Sequence, residues 1–202
     1  MESLQHFFLG FGIGFFSIII PGMLNMTAVK TAIEKGSKSG YLFSAGAALV
    51  VLVQASIALV FANFLNSNPH ILEYLTRAGI FVFLVLSLVF FYQARKNINP
   101  KGKANSGNDF IFGMFLSAMN MLAVPFYLAI SAYLEAENLL ILLQPYISIF
   151  VIGVATGVFL LFIVYVKMAN VILLKANFIA RNINYVLSGL FLVLAILTYF
   201  KL

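Results

Sequence analysis

The sequence predicts an all-α membrane protein whose six transmembrane helices form two inverted three-helix repeats. Three observations support this fold class. Hydrophobic residues make up 63% and charged residues only 9% of the 202 residues, against about 45–50% and about 25% in soluble domains. The apolar residues form continuous runs that are long enough to cross about 30 Å of hydrocarbon. A polar stretch at 96–109 divides the chain nearly in half.

Six segments are long and apolar enough to span a bilayer. They run approximately over 7–29, 39–65, 78–92, 110–134, 145–166 and 183–200. We therefore predict a first repeat over 1–95, a cytoplasmic linker over 96–109 and a second repeat over 110–202. The basic and apolar segment 167–181 is expected to lie in the cytoplasmic interface before the last span.

Basic residues are unevenly distributed between the two ends of these spans. Only Arg77 and Lys201 fall on one side. Ten fall on the other side: Lys30, Lys35, Lys38, Arg95, Lys96, Lys101, Lys103, Lys167, Lys175 and Arg181. Because cytoplasmic loops are enriched in Lys and Arg, we expect both termini outside. The net charge of +6 then reflects loops held against anionic lipid and not binding to nucleic acid.

Two prolines interrupt corresponding helices of the two halves. Pro21-Gly22 interrupts the first span and Pro125 the fourth, and a shift of 100 residues aligns Ser17 with Ser117. Three helices per half would make similar halves cross the membrane in opposite directions. Paired Gly/Pro interruptions in such halves indicate a binding site near the midplane. The alternative is an ordinary proline kink that a neighbouring helix satisfies.

A helix that restarts after Pro21 would direct free N–H groups and its positive dipole end into the interruption. Such a helix end favours a carboxylate or another anion. No charged residue lies near the centre of any predicted span. The candidate substrate-binding residues are therefore uncharged: Pro21, Gly22, Asn25, Gln54, Asn120 and Pro125. For the amides the alternative is hydrogen bonding between helices. Asn120 is expected to matter more for function than Asn25.

The stretch Pro21-Gly22-Met23-Leu24-Asn25, followed by a basic loop with Gly36 and Gly40, resembles the lysine-exporter (LysE/RhtB) family of amino-acid efflux transporters. In that family, Pro-Gly-Pro in the first helix precedes a similar loop at matching spacing. Segments 113–120 and 181–199 resemble its fourth and last helices. The resemblance covers most of the chain and implies a multi-pass carrier in the bacterial cytoplasmic membrane that exports amino acids or related small polar metabolites.

Four departures identify the chain as a divergent member of that family. Met23 replaces the second proline, Asn120-Met121-Leu122 replaces Asn-Pro-Lys, and the proline moves to Pro125. In the second helix, Val50-Val51 replaces Gly-Asp, and Gln54 stands where histidine is frequent. The departures remove the lysine and aspartate that would be the obvious partners of a zwitterion or a proton. The change predicts an altered substrate or altered coupling.

Other features favour structural roles. Gly10-x-x-x-Gly14, Gly36-x-x-x-Gly40 and Gly153-x-x-x-Gly157 allow helices to approach closely, within the chain or across a homodimer. The two histidines, His6 and His70, are predicted to be loop residues without metal-ligand neighbours. The Tyr and Phe side chains are expected to pack in the core or to face lipid.

Enzymatic function is not expected, because no metal motif, paired intramembrane aspartates or nucleophile with a base occurs in the spans. Without cysteine, thiolate chemistry is also excluded. No cofactor or nucleotide-binding motif is present, so energy would come from protons or the membrane potential. The competing class is a non-transporting accessory or scaffold membrane protein. A scaffold gains nothing from helix breaks at midplane, whereas a carrier needs them.

Overall fold

The computed structural model describes residues 2–20, 22–68, 108–120 and 122–175, together with scattered positions between 71 and 92 and between 185 and 199. In these residues the only regular secondary structure is helical, which agrees with the predicted fold class. The helices whose bounds lie within the described residues are α1 (Glu2–Ser17), α2 (Met23–Lys35), α3 (Ser37–Asn66), α4 (Asp109–Ala118), α5 (Ala123–Ala136), α6 (Tyr146–Lys167) and α7 (Ala169–Lys175). The predicted third and sixth spans fall mainly outside the described residues, as does most of the linker.

Two helices are long and apolar enough to cross a membrane, α3 over Ser37–Leu65 and α6 over Tyr146–Lys167. The pair α4 and α5, bent by 63°, would add a third crossing if it forms one span. These elements match the predicted second, fifth and fourth spans. The predicted first span is divided between α1 and α2. The structure therefore supports two or three crossings by length and composition, and six remains a prediction.

Helix α1 lies parallel to α6 with almost no space between their backbones. A Cβ at Gly10 would lie 2.1 Å from the carbonyl oxygen of Phe150, and one at Gly153 would lie 2.3 Å from that of Phe7. One turn further on, Gly14 and Gly157 make equally close contacts with the facing backbone. Only glycine allows this approach. The two predicted packing motifs on these helices are confirmed.

Helix α3 packs against α4 in the same manner. A Cβ at Gly46 would lie 2.0 Å from the carbonyl oxygen of Phe110, and one at Gly113 would lie 2.0 Å from that of Phe43. Both crossings thus use a Phe-x-x-Gly sequence on each helix, with each glycine facing the phenylalanine carbonyl of the other. The packing is reciprocal between the halves: the helix that opens each half, α1 or α4, contacts the long second span of the other half, α6 or α3.

Contacts divide the chain into two compact units. One contains Met1–Phe64 and Gly102–Leu174, and the other contains Leu65–Lys101 and Lys175–Leu202. Each unit therefore combines segments from both of the predicted sequence repeats. In the second unit, Ser87 and Ser188 each donate their hydroxyl to the backbone carbonyl of the other at 2.9 Å.

The two ends of the first unit are each held by polar contacts. At one end, Lys35 of α2 forms an ion pair with Asp109 of α4. At the other, Tyr146 donates its hydroxyl to Glu2 at 2.8 Å. The predicted cytoplasmic segments next to Lys35 and Asp109 therefore share one end. The core between the ends is apolar, with Phe150 and other large side chains fully buried.

Candidate functional site

The first helix break lies between α1 and α2, at residues 18–22. Leaving the helix frees backbone carbonyls, and a free carbonyl in hydrocarbon is costly. Here the side-chain amide of Asn25 donates to the carbonyl of Ile18 at 2.6 Å and to that of Ile20 at 3.2 Å. Asn25 is buried, with 3% of its surface exposed. Its amide therefore stabilises the broken backbone of its own segment.

A tyrosine from α6 completes this arrangement. The hydroxyl of Tyr165 donates to the carbonyl of Ile19 at 2.8 Å, across a sequence separation of 146 residues. Three consecutive carbonyls, those of residues 18–20, are thus satisfied by side chains. A break held in this way is a fixed feature of the structure, unlike a kink whose carbonyls remain open. Pro21 lies outside the described residues.

Helix α2 begins after this break without a side-chain cap. Gly22 is its N-cap residue, with extended backbone at φ −114° and ψ −175°. No described atom would lie within 4 Å of a Cβ at Gly22. The N–H groups of a first helical turn have no partner inside the helix. At Gly22, just before the positive end of α2, there is therefore room for a side chain among the described residues.

The second helix break, residues 119–122, separates α4 from α5. Local hydrogen bonds hold it: the backbone N–H of Asn120 donates to the carbonyl of Ser117 at 3.0 Å. The side-chain oxygen of the exposed Asn120 accepts from the N–H of Leu122 at 3.4 Å. Leu122 is the N-cap residue of α5 and provides no side-chain cap. Pro125 lies in the first turn of α5, where the missing N–H costs no helical hydrogen bond. The break therefore precedes Pro125 and does not occur at it.

Gln54 of α3 reaches the last turn of α4 beside the second break. Its side-chain nitrogen donates to the carbonyl of Ser117 at 3.2 Å. Ser117 in turn donates its hydroxyl to the carbonyl of Ala47 at 3.1 Å. Gln54 is only 8% exposed, and among the described residues its side-chain oxygen has no hydrogen-bond partner. An unsatisfied acceptor of this kind is rare in buried surroundings.

A pair of hydroxyl groups connects α1 at the edge of the first break to α5. The hydroxyl of Ser17 donates to the carbonyl of Gly14 at 2.7 Å and lies 3.2 Å from the hydroxyl of Tyr127. Tyr127 is 2% exposed and belongs to the second turn of α5. The edge of the first break and the start of the helix after the second break are therefore neighbours.

A family model described as LysE type translocator matches residues 15–201 of the chain. The match includes both helix breaks and every candidate residue around them. This chain belongs to the LysE type translocator family. Comparisons with curated proteins and with solved structures give no match. Membership implies membrane transport of amino acids or similar compounds, and it agrees with the expectation that the chain is not an enzyme.

The predicted site residues of this LysE family member fall into two groups. Asn25 and Gly22 belong to the first break, and Asn120 and Pro125 belong to the second, which Gln54 approaches from α3. The described hydrogen bonds include none between Asn25 and Asn120, whose amides each bind their own break. Asn25 is buried and Asn120 is exposed, so the two amides differ in their surroundings more than the sequence indicates.

Sequence reasoning missed the two tyrosines of the site. In the sequence, Tyr127 and Tyr165 are not distinguished from the other aromatic residues of the apolar spans. The sequence does contain a signal, because the hydroxyl of a tyrosine within an apolar span needs a hydrogen-bond partner. Neither tyrosine has its partner near it in the sequence, since Ser17 and Ile19 lie in the first half of the chain. The pairing therefore depended on the tertiary structure.

The prediction that His6 is a loop residue is wrong. His6 lies in α1 and is 3% exposed. Its Nε2 accepts from the backbone N–H of Ile141 at 3.0 Å, so Nδ1, at 2.7 Å from the carbonyl of Glu2, must donate. The helical pattern of Glu2–Ser17 includes His6 once the helix begins at its acidic first turn. No cluster of metal-ligating side chains occurs in the described part of the chain.

A shallow groove of about 510 Å³ on α3 is separate from the breaks. Its lining residues are Ser56, Ile57, Val60, Phe61 and Phe64. None of the predicted site residues lines it. The groove is almost entirely apolar and open, and nothing in the described residues shows what covers it.

Proposed function

We propose that this LysE family member is a secondary transporter that exports amino acids or related small polar metabolites across the bacterial cytoplasmic membrane. The observation that carries the proposal is the pair of helix breaks, each followed by a helix that starts without a side-chain cap. Such helix starts bind anionic groups through their N–H groups and dipoles. The substrate's carboxylate would lie at these helix starts, beside Gly22 and the second break.

The construction of the first break supports a binding role. Asn25 and Tyr165 satisfy the freed carbonyls and leave the positive end of α2 uncapped. The polar groups there are thus oriented before a substrate arrives, which lowers the entropic cost of binding. Without a charged side chain in the site, binding remains moderate, and a carrier needs moderate binding to release its substrate.

The reciprocal packing of the halves supports an inverted repeat. Each half begins with two helices separated by a break, and a longer helix follows them. The contacts of α1 with α6 correspond to those of α4 with α3, as a two-fold axis between the repeats would require. We propose that the chain crosses the membrane six times with both termini outside, as the distribution of basic residues indicates.

Alternating access has to preserve the two glycine crossings. The backbones of α1 and α6 are in contact, as are those of α3 and α4. Rocking of one whole repeat against the other, a common motion of inverted-repeat carriers, would have to separate these surfaces. We therefore propose that each crossing pair moves as one body around the breaks. Protons or the membrane potential would drive the cycle.

The proposal can be tested with the full-length protein in liposomes. The vesicles are loaded with the twenty amino acids and a small-metabolite extract of bacteria, and efflux is followed by mass spectrometry. We expect at least one amine-bearing solute to leave faster than from protein-free vesicles. Gly22→Leu should abolish this efflux by filling the space before α2.

A matched control is available in the same region. At Gly12 of α1, too, a Cβ would meet no described atom within 4 Å, so Gly12→Leu tests the added volume away from the break. It should export at nearly the native rate. A native protein that moves no solute would instead support the scaffold alternative. Full activity in Gly22→Leu would place the binding site elsewhere.

A further inference from the structure

Among the described residues, the side-chain oxygen of Gln54 is the one buried side-chain nitrogen or oxygen atom without a hydrogen-bond partner. In water this oxygen would accept hydrogen bonds, and burying it without a partner costs free energy. In a membrane protein no bulk water compensates for that loss. The orphaned acceptor beside a helix break therefore requires a functional or structural explanation.

The orientation of the Gln54 amide follows from its neighbour. The nitrogen donates to the carbonyl of Ser117 at 3.2 Å. Turning the amide over would place two oxygen acceptors against each other, so the nitrogen must face Ser117. The oxygen is thereby fixed as the free atom of the amide. Its only unmet requirement is a donor.

The hydroxyl groups of Ser117 and Ser56 do not satisfy this requirement. Ser117 has one hydroxyl proton, and it is directed to the carbonyl of Ala47 at 3.1 Å. Ser56, on the same helix as Gln54, donates to the carbonyl of Leu52 at 2.8 Å. Both hydroxyl protons are therefore committed to backbone carbonyls.

We propose that the side-chain oxygen of Gln54 accepts a hydrogen bond from an ammonium or amine group of the transported solute. This inference rests on the proposed function and adds the residue that recognises the amino group of the substrate. The helix starts at the breaks suit an anionic group, and Gln54 suits a donor. A solute that carries a carboxylate and an amine satisfies both, whereas a simple carboxylic acid leaves Gln54 unpaired.

An uncharged acceptor has a further consequence for selectivity. A site that hydrogen-bonds a substrate N–H discriminates against the analogue lacking it, because the buried acceptor is then left unsatisfied. A carboxylate side chain in the same place would bind an ammonium more tightly. Gln54 therefore gives selection for the amine without a charge that would hold the solute in the membrane.

The experiment measures efflux of the best-exported amino acid from the native proteoliposomes. The KM for this amino acid is compared with the inhibition constant of the corresponding acid that has hydrogen in place of the amino group. We expect the native protein to favour the amino acid at least tenfold. Gln54→Leu should raise the KM about tenfold, the effect of one lost buried hydrogen bond, and should leave inhibition by the deaminated acid unchanged.

Two further variants complete the test. Gln54→Glu keeps an acceptor oxygen and, because burial favours the protonated carboxyl, can still donate to the carbonyl of Ser117, so it should retain the preference for the amino acid even if Gln54→Leu does not fold. Ser56→Ala changes a hydroxyl on the same helix and should leave both constants as in the native protein. A preference that is unchanged in Gln54→Leu, or lost in Gln54→Glu, would overturn this inference while transport itself stands. Absence of efflux by the native protein would overturn the proposed function and this inference with it.

Discussion

The hydroxyl groups of Ser17 and Tyr127 lie 3.2 Å apart, although 110 residues separate them in the chain. Ser17 ends α1 at the first break, and Tyr127 lies in α5 just after the second break. The contact brings parts of both halves of the chain to one place. It is also polar and buried, and polar contacts between membrane helices often mark functional positions.

Removing the tyrosine hydroxyl should loosen this connection. Ser17 keeps its bond to the carbonyl of Gly14, so Tyr127→Phe leaves no donor unsatisfied. We expect the free energy of unfolding to fall by about 0.6 kcal/mol, the average for hydrogen bonds between membrane helices. We also expect the efflux rate to decrease clearly. Thermal unfolding in detergent and the efflux assay measure the two effects. Tyr133→Phe, on the exposed side of the same helix, should change neither, and equal effects of both variants would refute a special role for Tyr127.

The two asparagines of the breaks should differ in their effect on stability. Asn25→Ala leaves the carbonyls of Ile18 and Ile20 without their donor, and the free energy of unfolding should fall by about 1–3 kcal/mol. Asn120→Ala removes one long bond at an exposed position and should cost about 0.5 kcal/mol or less. Melting temperatures in detergent test this order. From the sequence alone, Asn120→Ala is expected to impair transport more than Asn25→Ala. Efflux by the same variants shows whether the effects on stability and on transport differ.

The glycine crossings should tolerate no added methyl group. In Gly10→Ala the new Cβ would lie 2.1 Å from a backbone oxygen of α6, and the helices would have to move apart. Overpacking of this kind costs about 1–3 kcal/mol. Gly12→Ala, whose Cβ meets no described atom within 4 Å, should be neutral or stabilising, because alanine favours a helix. Similar melting temperatures for the two variants would contradict the close approach of α1 and α6.

The topology can be tested without background labelling, because the chain contains no cysteine. Lys38→Cys lies next to the end at which Lys35 and Asp109 meet, and Leu139→Cys lies near the opposite end, where Ile141 contacts His6. We expect an impermeant thiol reagent to label residue 139 in intact cells and residue 38 only after permeabilisation. The opposite pattern would reverse the orientation, and labelling of both from outside would exclude the six-span arrangement.

The sequence by itself determined the membrane environment, the helical class and the approximate positions of the two breaks. These properties are local. An apolar run must be a helix in hydrocarbon because its backbone polar groups have no other partners there. The family resemblance around Pro21 and Gly22 was also readable from the sequence, and the match over residues 15–201 confirms it.

Only the tertiary structure decided what surrounds the breaks. The sequence placed the second break at Pro125, but a proline fits in the first turn of α5, and the chain leaves the helix earlier at residues 119–122. It also indicated no partner for Tyr165 or Gln54, because Ile19 and Ser117 lie far from them along the chain. Hydrogen bonds between helices depend on which helices pack together and in what register. That register is decided by the facing glycines and phenylalanine carbonyls of α1 with α6 and of α3 with α4, which a single helix does not reveal.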